Sequence, residues 1–142
     1  MWPPAPDFIL LAMASRAADW LRQAARDVDL ARAAHEHGAF EWAAFAAQQG
    51  SEKAVKALYQ HLGADARGHS VSRLLAELPA GVQPPAALIE TAKELDKHYI
   101  APRDPNSYPE GAPMDFYTRT DAERAIAAAE RVIEHCKSHL SR

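Results

Sequence analysis

The densest group of side chains able to bind or react lies within residues 96–108: Asp96, Tyr99, Arg103, Asp104, Asn106 and Tyr108. Arg103 is its centre, because a planar guanidinium offers parallel N–H donors that meet a phosphate or a carboxylate bidentately. The competing role is internal. A pair with Asp96 or Glu52 would simply tie the Arg103 segment to the rest of the molecule. Asp96 and Tyr99 are three residues apart and face roughly together on the last turns of a predicted helix. A second polar row, Gln48, Gln49, Glu52, Lys53 and Lys56, occupies one side of the predicted helix over 40–63, with Glu52 four residues before Lys56 at a favourable ion-pair spacing.

Other chemistries find little support. The chain has no Gly-rich phosphate loop, no HExxH, no G-x-S-x-G and no deaminase-type zinc signature. His61, His69, His98, His135 and His139 are spread along it. His35 and His37 are two apart, so their rings leave a helix on different faces. His135 and His139 share a face, yet no carboxylate and cysteine set completes four ligands, so no metal site and no cofactor are predicted. Cys136 is the one cysteine, which excludes an intrachain disulfide and suits a reducing compartment. It falls on an apolar helix stripe, where a thiol packs as a small hydrophobe.

The formal net charge of −3 gives no reason for bulk attraction to nucleic acid or membrane, so any RNA contact would come from a local patch. The apolar run near the start is too short to span a bilayer and lacks a basic leader, so the chain reads as cytoplasmic and unprocessed. Thirty-one alanines against five valines, five isoleucines and three threonines point to helix and away from sheet.

The elements that must position Arg103 follow from periodicity. Asp7 reads as the N-cap of a long first helix after an extended tail over 1–6, with Leu10, Ala14, Ala17, Leu21, Ala24, Val28 and Ala31 on one stripe. Gly38 stops it. The helix over 40–63 carries Phe40, Ala44, Ala47, Ser51, Ala54, Leu58 and Leu62 on its stripe, widened by Trp42, Phe45, Val55 and Tyr59, and stops at Gly63. Ser70 caps a short helix over 71–78, and Pro85 suits the start of a fourth helix with Leu88, Ala92, Leu95 and Tyr99 on its face. Residues 101–119 hold four prolines and a glycine and are predicted as a long loop. Thr120 and Glu123 read as a capping box for the last helix, whose stripe is Ala122, Ile126, Ala129, Ile133, Cys136 and Leu140. The expectation is one all-α domain over 1–142, an antiparallel up-and-down bundle of four main helices plus one short one.

Several short motifs in this order resemble the HEPN family: Trp42-Ala-Ala-Phe45 with Gln48-Gln49, Glu52-Lys53-Ala54, Lys56-Ala57-Leu58, Gly68-His69-Ser70, Leu95-Asp96-Lys97-His98-Tyr99-Ile100 and Pro102-Arg103-Asp104-Pro105. Ala24, Asp27, Leu30 and Ala34 in the first helix also fit. The resemblance implies a four-to-five-helix bundle that commonly dimerises, is often encoded beside a minimal nucleotidyltransferase, and binds nucleotide. Many members are metal-independent RNases of toxin–antitoxin or defence systems, with an Arg-x(4–6)-His motif from each subunit. This chain departs there. Tyr108 stands in the histidine's place and residues 107–110 contain no histidine. A phenol of ordinary pKa ~10 is a poor base near neutrality.

Two readings result. The first is a non-catalytic component, a homodimer that pairs with a nucleotidyltransferase and binds a nucleotide or that partner. Its cleft is formed by Arg103, Lys53, Gln49, Glu52, Lys56, Asp96, Tyr99, Asp104 and Tyr108, with the Arg103 loop folded over the polar wall of residues 49–56. The second is a divergent RNase toxin in which Tyr108, His98 or His69 replaces the missing histidine beside Arg103. On the first reading, a nucleotidyltransferase partner could attach nucleotide to Tyr108 or Tyr117.

Overall fold

A computed structural model describes residues 6–140, with the side chains of 9–15 excepted. The chain is all-α, with no strand among these residues. The long helices are α1 (Asp7–Glu36), α2 (Phe40–His61) and α6 (Arg119–Leu140); α3 (Val71–Ala76), α4 (Ala86–Asp96) and α5 (Pro113–Phe116) are shorter. Between α4 and α5 lie two 3-10 turns, Ala101–Arg103 and Pro105–Ser107.

Alanine sets the spacing of the bundle. Ala24 and Ala31 of α1 and Ala43, Ala44, Ala47 and Ala54 of α2 have no exposed surface, so the two helices lie against each other through methyl groups. Gly50 marks their closest approach: a Cβ there would stand 3.0 Å from the Ala24 carbonyl oxygen and from Val28 Cγ2. Gly38 turns the chain back at φ +78°, immediately after the α1 C-cap His37, which is the left-handed conformation glycine adopts without steric cost. α2 therefore runs back along α1 and packs on its other side against α6. Leu58, Val55, Val71, Leu75, Leu95, Val132 and Cys136 are the large side chains of the core these helices share. Burial pushes the Cys136 thiol up to about 12, so it stays protonated and inert.

Local signals mislead at five places. Pro6, not Asp7, is the residue before α1, and Asp7 lies inside the first turn, where its charge still complements the helix dipole. The extended tail expected over 1–6 falls, but for Pro6, outside the described residues, as do the stripe side chains Leu10 and Ala14. The capping box of α6 is two residues earlier than expected. Thr118 Oγ1 accepts from the Asp121 N–H at 3.1 Å, while Asp121 Oδ2 accepts from the Thr118 N–H at 2.8 Å. Residues 101–119 are not free of regular structure: Asp104 caps a 3-10 turn through Asn106 N, and Asp115 accepts from Ala112 N at 2.8 Å to start α5. Tyr99 lies beyond the end of α4. Finally, the polar row of α2 is not an open cleft wall throughout, since Gln48 and Glu52 are buried. No helix among the described residues is long and apolar enough to cross a membrane.

Candidate functional site

Arg103 emerges from the 3-10 turn that packs on α2. Its Nε donates to the backbone oxygen of Tyr99 at 2.7 Å, and its Cζ lies 4.6 Å from the centroid of the Phe45 ring and 4.7 Å from that of Tyr99. Cation–π contact holds the guanidinium against the bundle. Neither Asp96 nor Glu52 pairs with it, so the internal ion pair considered above does not form. The Arg103 side chain is exposed, and its terminal nitrogens meet no carboxylate among the described residues.

Tyr99 carries a second group. His69 stacks on its ring at 4.3 Å between centroids and 14° between planes. His69 Nδ1 lies 3.0 Å from Glu52 Oε1, and Glu52 Oε2 accepts from Lys56 Nζ at 3.0 Å. Gln48, with no exposed surface, donates from Nε2 to the same Glu52 Oε1 at 3.2 Å and to the His69 carbonyl at 3.0 Å. Gln49 Nε2 donates to Gln48 Oε1 at 2.8 Å. This network explains the buried polar side of α2. The loop before α3 folds over it and supplies the partners that burial requires. Lys53 is turned the other way, donating to Asp27 Oδ2 of α1 at 2.6 Å and to Gln49 Oε1 at 3.4 Å.

Three residues expected at the cleft have structural work elsewhere. Asp96 accepts from Val71 N at 2.6 Å, Ser72 N at 3.4 Å, Ser70 Oγ at 3.0 Å and Ser72 Oγ, so it anchors the start of α3 to the end of α4. Asp104 closes its own turn. Tyr108 stacks on Phe116 at 4.5 Å, joining the two ends of the 104–116 segment. The Arg103 turn does meet α2, but at Phe45, while residues 49–56 are covered chiefly by His69 and α1. Phe45 and Asp27, placed by the sequence in a widened core stripe and in a family-like helix, contact these groups directly. The i, i+7 spacing of Phe45 and Glu52 is the one local sign that they share a face.

His98 is buried, with Nδ1 2.8 Å from the Tyr117 hydroxyl and Nε2 3.7 Å from Glu94 Oε1, too far for a hydrogen bond. Burial lowers its pKa, only partly offset by Glu94 and Asp121, and burial likewise raises that of Tyr117. The neutral ring is thus the folded form. Protons bind the unfolded histidine more readily, so its contribution to stability is complete above the ordinary value of ~6.5 and is lost as pH falls below it. Unfolding midpoints in urea should drop between pH 7.5 and 5.5 by more in the wild type than in His98→Gln. Equal drops would show that His98 titrates freely.

The comparisons with known proteins bear on the family and the fold. The HEPN domain family model matches residues 17–139. A Methanocaldococcus jannaschii protein named "Putative toxin MJ1304" is 28% identical over 130 residues, which cover 85% of this chain and 86% of that protein. The crystal structure of TT1696 from Thermus thermophilus superposes with a TM-score of 0.85 at 42% identity, over 87% of this chain and 98% of that one. The crystal structure of ST0689, described as an archaeal HEPN homologue, gives a TM-score of 0.75 at 43% identity over 87% and 97%.

Proposed function

Because this chain belongs to the HEPN domain family, we propose that it is the phosphate-binding component of a toxin–antitoxin-like pair. In this reading the chain is a homodimer without catalysis of its own, and its companion is a minimal nucleotidyltransferase. The toxin name of the M. jannaschii relative supports the system, and Arg103 supports the site. The observation that carries the reading is an exposed arginine fork held against the Phe45 and Tyr99 rings, with its terminal donors not engaged by any carboxylate among the described residues. Such a fork loses little freedom on meeting an anion, and hydrogen bonds to charged groups contribute about 1.5–3 kcal/mol each.

Calorimetric titration with ADP and with pyrophosphate tests this. Arg103→Ala should weaken both by roughly tenfold or more at an unchanged melting temperature, the loss expected for one charge-assisted contact. Undiminished binding by Arg103→Ala would remove Arg103 from the site. Association with the nucleotidyltransferase should survive in Lys56→Ala if the polar row of α2 serves the fold, and fail in it if that row is the partner surface.

A specific observation also favours one form of the RNase reading. Of the three candidate replacements for the motif histidine, His98 is buried against Tyr117 and Tyr108 is stacked on Phe116. His69 is half exposed and lies on the ring that also holds Arg103, with Glu52 fixing its Nδ1. A carboxylate on Nδ1 leaves Nε2 as the basic nitrogen, the arrangement of a general base. Cleavage of an RNA oligonucleotide in chelator, lost in both His69→Ala and Arg103→Ala, would establish catalysis; intact RNA would leave binding alone.

A further inference from the structure

We propose that residues 104–118 form a strap that acid releases, and that its latch is the hydrogen bond between His98 and Tyr117. The inference concerns how the strap is held, and it stands whatever Arg103 binds. The strap leaves the Arg103 turn and rejoins the bundle at α6, and its helix α5 packs against that turn and against α2. It is thinly anchored. Pro113 is its one buried residue, Met114 and Phe116 are exposed, and the Tyr108 ring stacks on Phe116 within the strap itself. The bonds of Asp104 to Asn106 N and of Asp115 to Ala112 N are internal as well. Between Asp104 and Tyr117, the Tyr117 hydroxyl makes the one side-chain hydrogen bond from the strap to the rest of the described residues. Segments with so little buried apolar contact open at a fraction of the free energy of global unfolding.

The latch is built to respond to a proton. His98 is buried, and its Nε2 has no hydrogen-bond partner among the described residues. Nε2 faces the Glu94 carboxylate at 3.7 Å, which places the neutral ring's proton there and leaves Nδ1 to accept from the Tyr117 hydroxyl at 2.8 Å. A second proton, on Nδ1, meets the hydroxyl proton head-on. The bond must then reverse, and the hydroxyl has no other acceptor among the described residues. Glu94 and Asp121 face the ring with negative charge, but Glu94 Oε2 is already taken by Lys97, whose own charge opposes protonation. Burial outweighs the two carboxylates and keeps the ring neutral while the strap is closed. Burial, with Tyr108, Asp121 and Glu94 nearby, likewise keeps the Tyr117 hydroxyl protonated. Opening returns His98 to water and to its ordinary pKa of ~6.5, so protons favour the open form.

Hydrogen exchange on the full chain, corrected for the intrinsic pH dependence of exchange, tests the strap through the Ala112, Asp115 and Tyr117 amides, each hydrogen-bonded within it. Their opening constant should rise by up to about tenfold between pH 7.5 and 5.5, the ratio set by an ordinary histidine exposed on opening. His98→Gln should abolish that rise. Tyr117→Phe keeps the ring and should open the strap roughly fivefold at pH 7.5, as the loss of one hydrogen bond requires. In low urea the strap amides should exchange independently of denaturant, the mark of local opening, while α2 amides follow the urea dependence of global unfolding. A constant opening at both pH values would overturn the proposal, and so would unchanged exchange in Tyr117→Phe. The same pH response in His98→Gln would assign it to a carboxylate such as Asp121 and overturn the latch. Strap amides that share the urea dependence of α2 would show that nothing opens short of the whole molecule. If His98→Gln does not fold, the wild-type pH response, Tyr117→Phe and the urea series decide the matter.

Discussion

Replacing Glu52 with alanine is expected to destabilise the fold by about 3–5 kcal/mol, the usual consequence of removing one member of a buried charged pair. The Glu52 side chain is only 7% exposed and satisfies three groups at once: Lys56 Nζ at 3.0 Å, Gln48 Nε2 at 3.2 Å and His69 Nδ1 at 3.0 Å. Without it Lys56, 15% exposed, keeps its charge beside α2 with no counter-ion, and Gln48 retains only the His69 carbonyl as an acceptor. Unfolding by urea gives the measurement. At 2–4 °C per kcal/mol the melting temperature should fall by roughly 10 °C. Glu52→Gln keeps the shape and an acceptor oxygen, so it should recover part of the loss. A loss below about 1 kcal/mol in the alanine variant would mean that water already satisfies these groups. The same substitution releases His69, so it also separates the two functional readings. Phosphate binding at Arg103 should persist, whereas any cleavage that depends on an oriented His69 should disappear.

Gly50→Leu should have the next largest effect, about 2–3 kcal/mol, because the new side chain has no room. The Cβ alone would lie 3.0 Å from a backbone oxygen of α1 and 3.0 Å from Val28 Cγ2, and a helix backbone cannot yield as a side chain can. The helices must separate, and with them go the alanine contacts of α1 with α2 and the 2.6 Å pair of Asp27 with Lys53. Gly50→Ala is the instructive control. Alanine gains about 1 kcal/mol of helix propensity over glycine but keeps the Cβ contacts at 3.0 Å and adds nothing beyond them, so it should fall between the wild type and the leucine variant. A leucine variant as stable as the wild type would show that the α1–α2 spacing is not set at residue 50.

Much of the helical framework was legible without coordinates. The four-three rhythm of Ala44, Ala47, Ser51, Ala54 and Leu58 gives α2 because side-chain direction along a helix is a local property. Gly38 and Gly63 end helices at positive φ because few other residues accept that backbone without strain, and Ser70 caps α3 through Arg73 N for an equally local reason. Arg103 stood out because its residue type is suited to anions in any setting. The placement of the capping box failed because Thr118 and Thr120 present the same pattern, and only the approach of the preceding chain decides between them.

What the tertiary structure alone decided is which groups meet across the chain. Asp96 looked like a ligand and is instead the anchor of α3, twenty-five residues earlier in sequence. The polar row of α2 looked like the open wall of a cleft, yet Gln48 and Glu52 in it are buried, because the loop carrying His69 lies over them and supplies hydrogen bonds that no periodicity encodes. Arg103 looked ready to pair with a carboxylate, and the fold gave it two aromatic rings and one carbonyl, which leaves its terminal donors facing outward. The sequence by itself determined the helices, their stops and the identity of the arginine, since each depends on neighbours within a turn or two. The direction in which that arginine points, and the histidine beside it, depend on contacts between residues tens of positions apart, where local spacing carries no information.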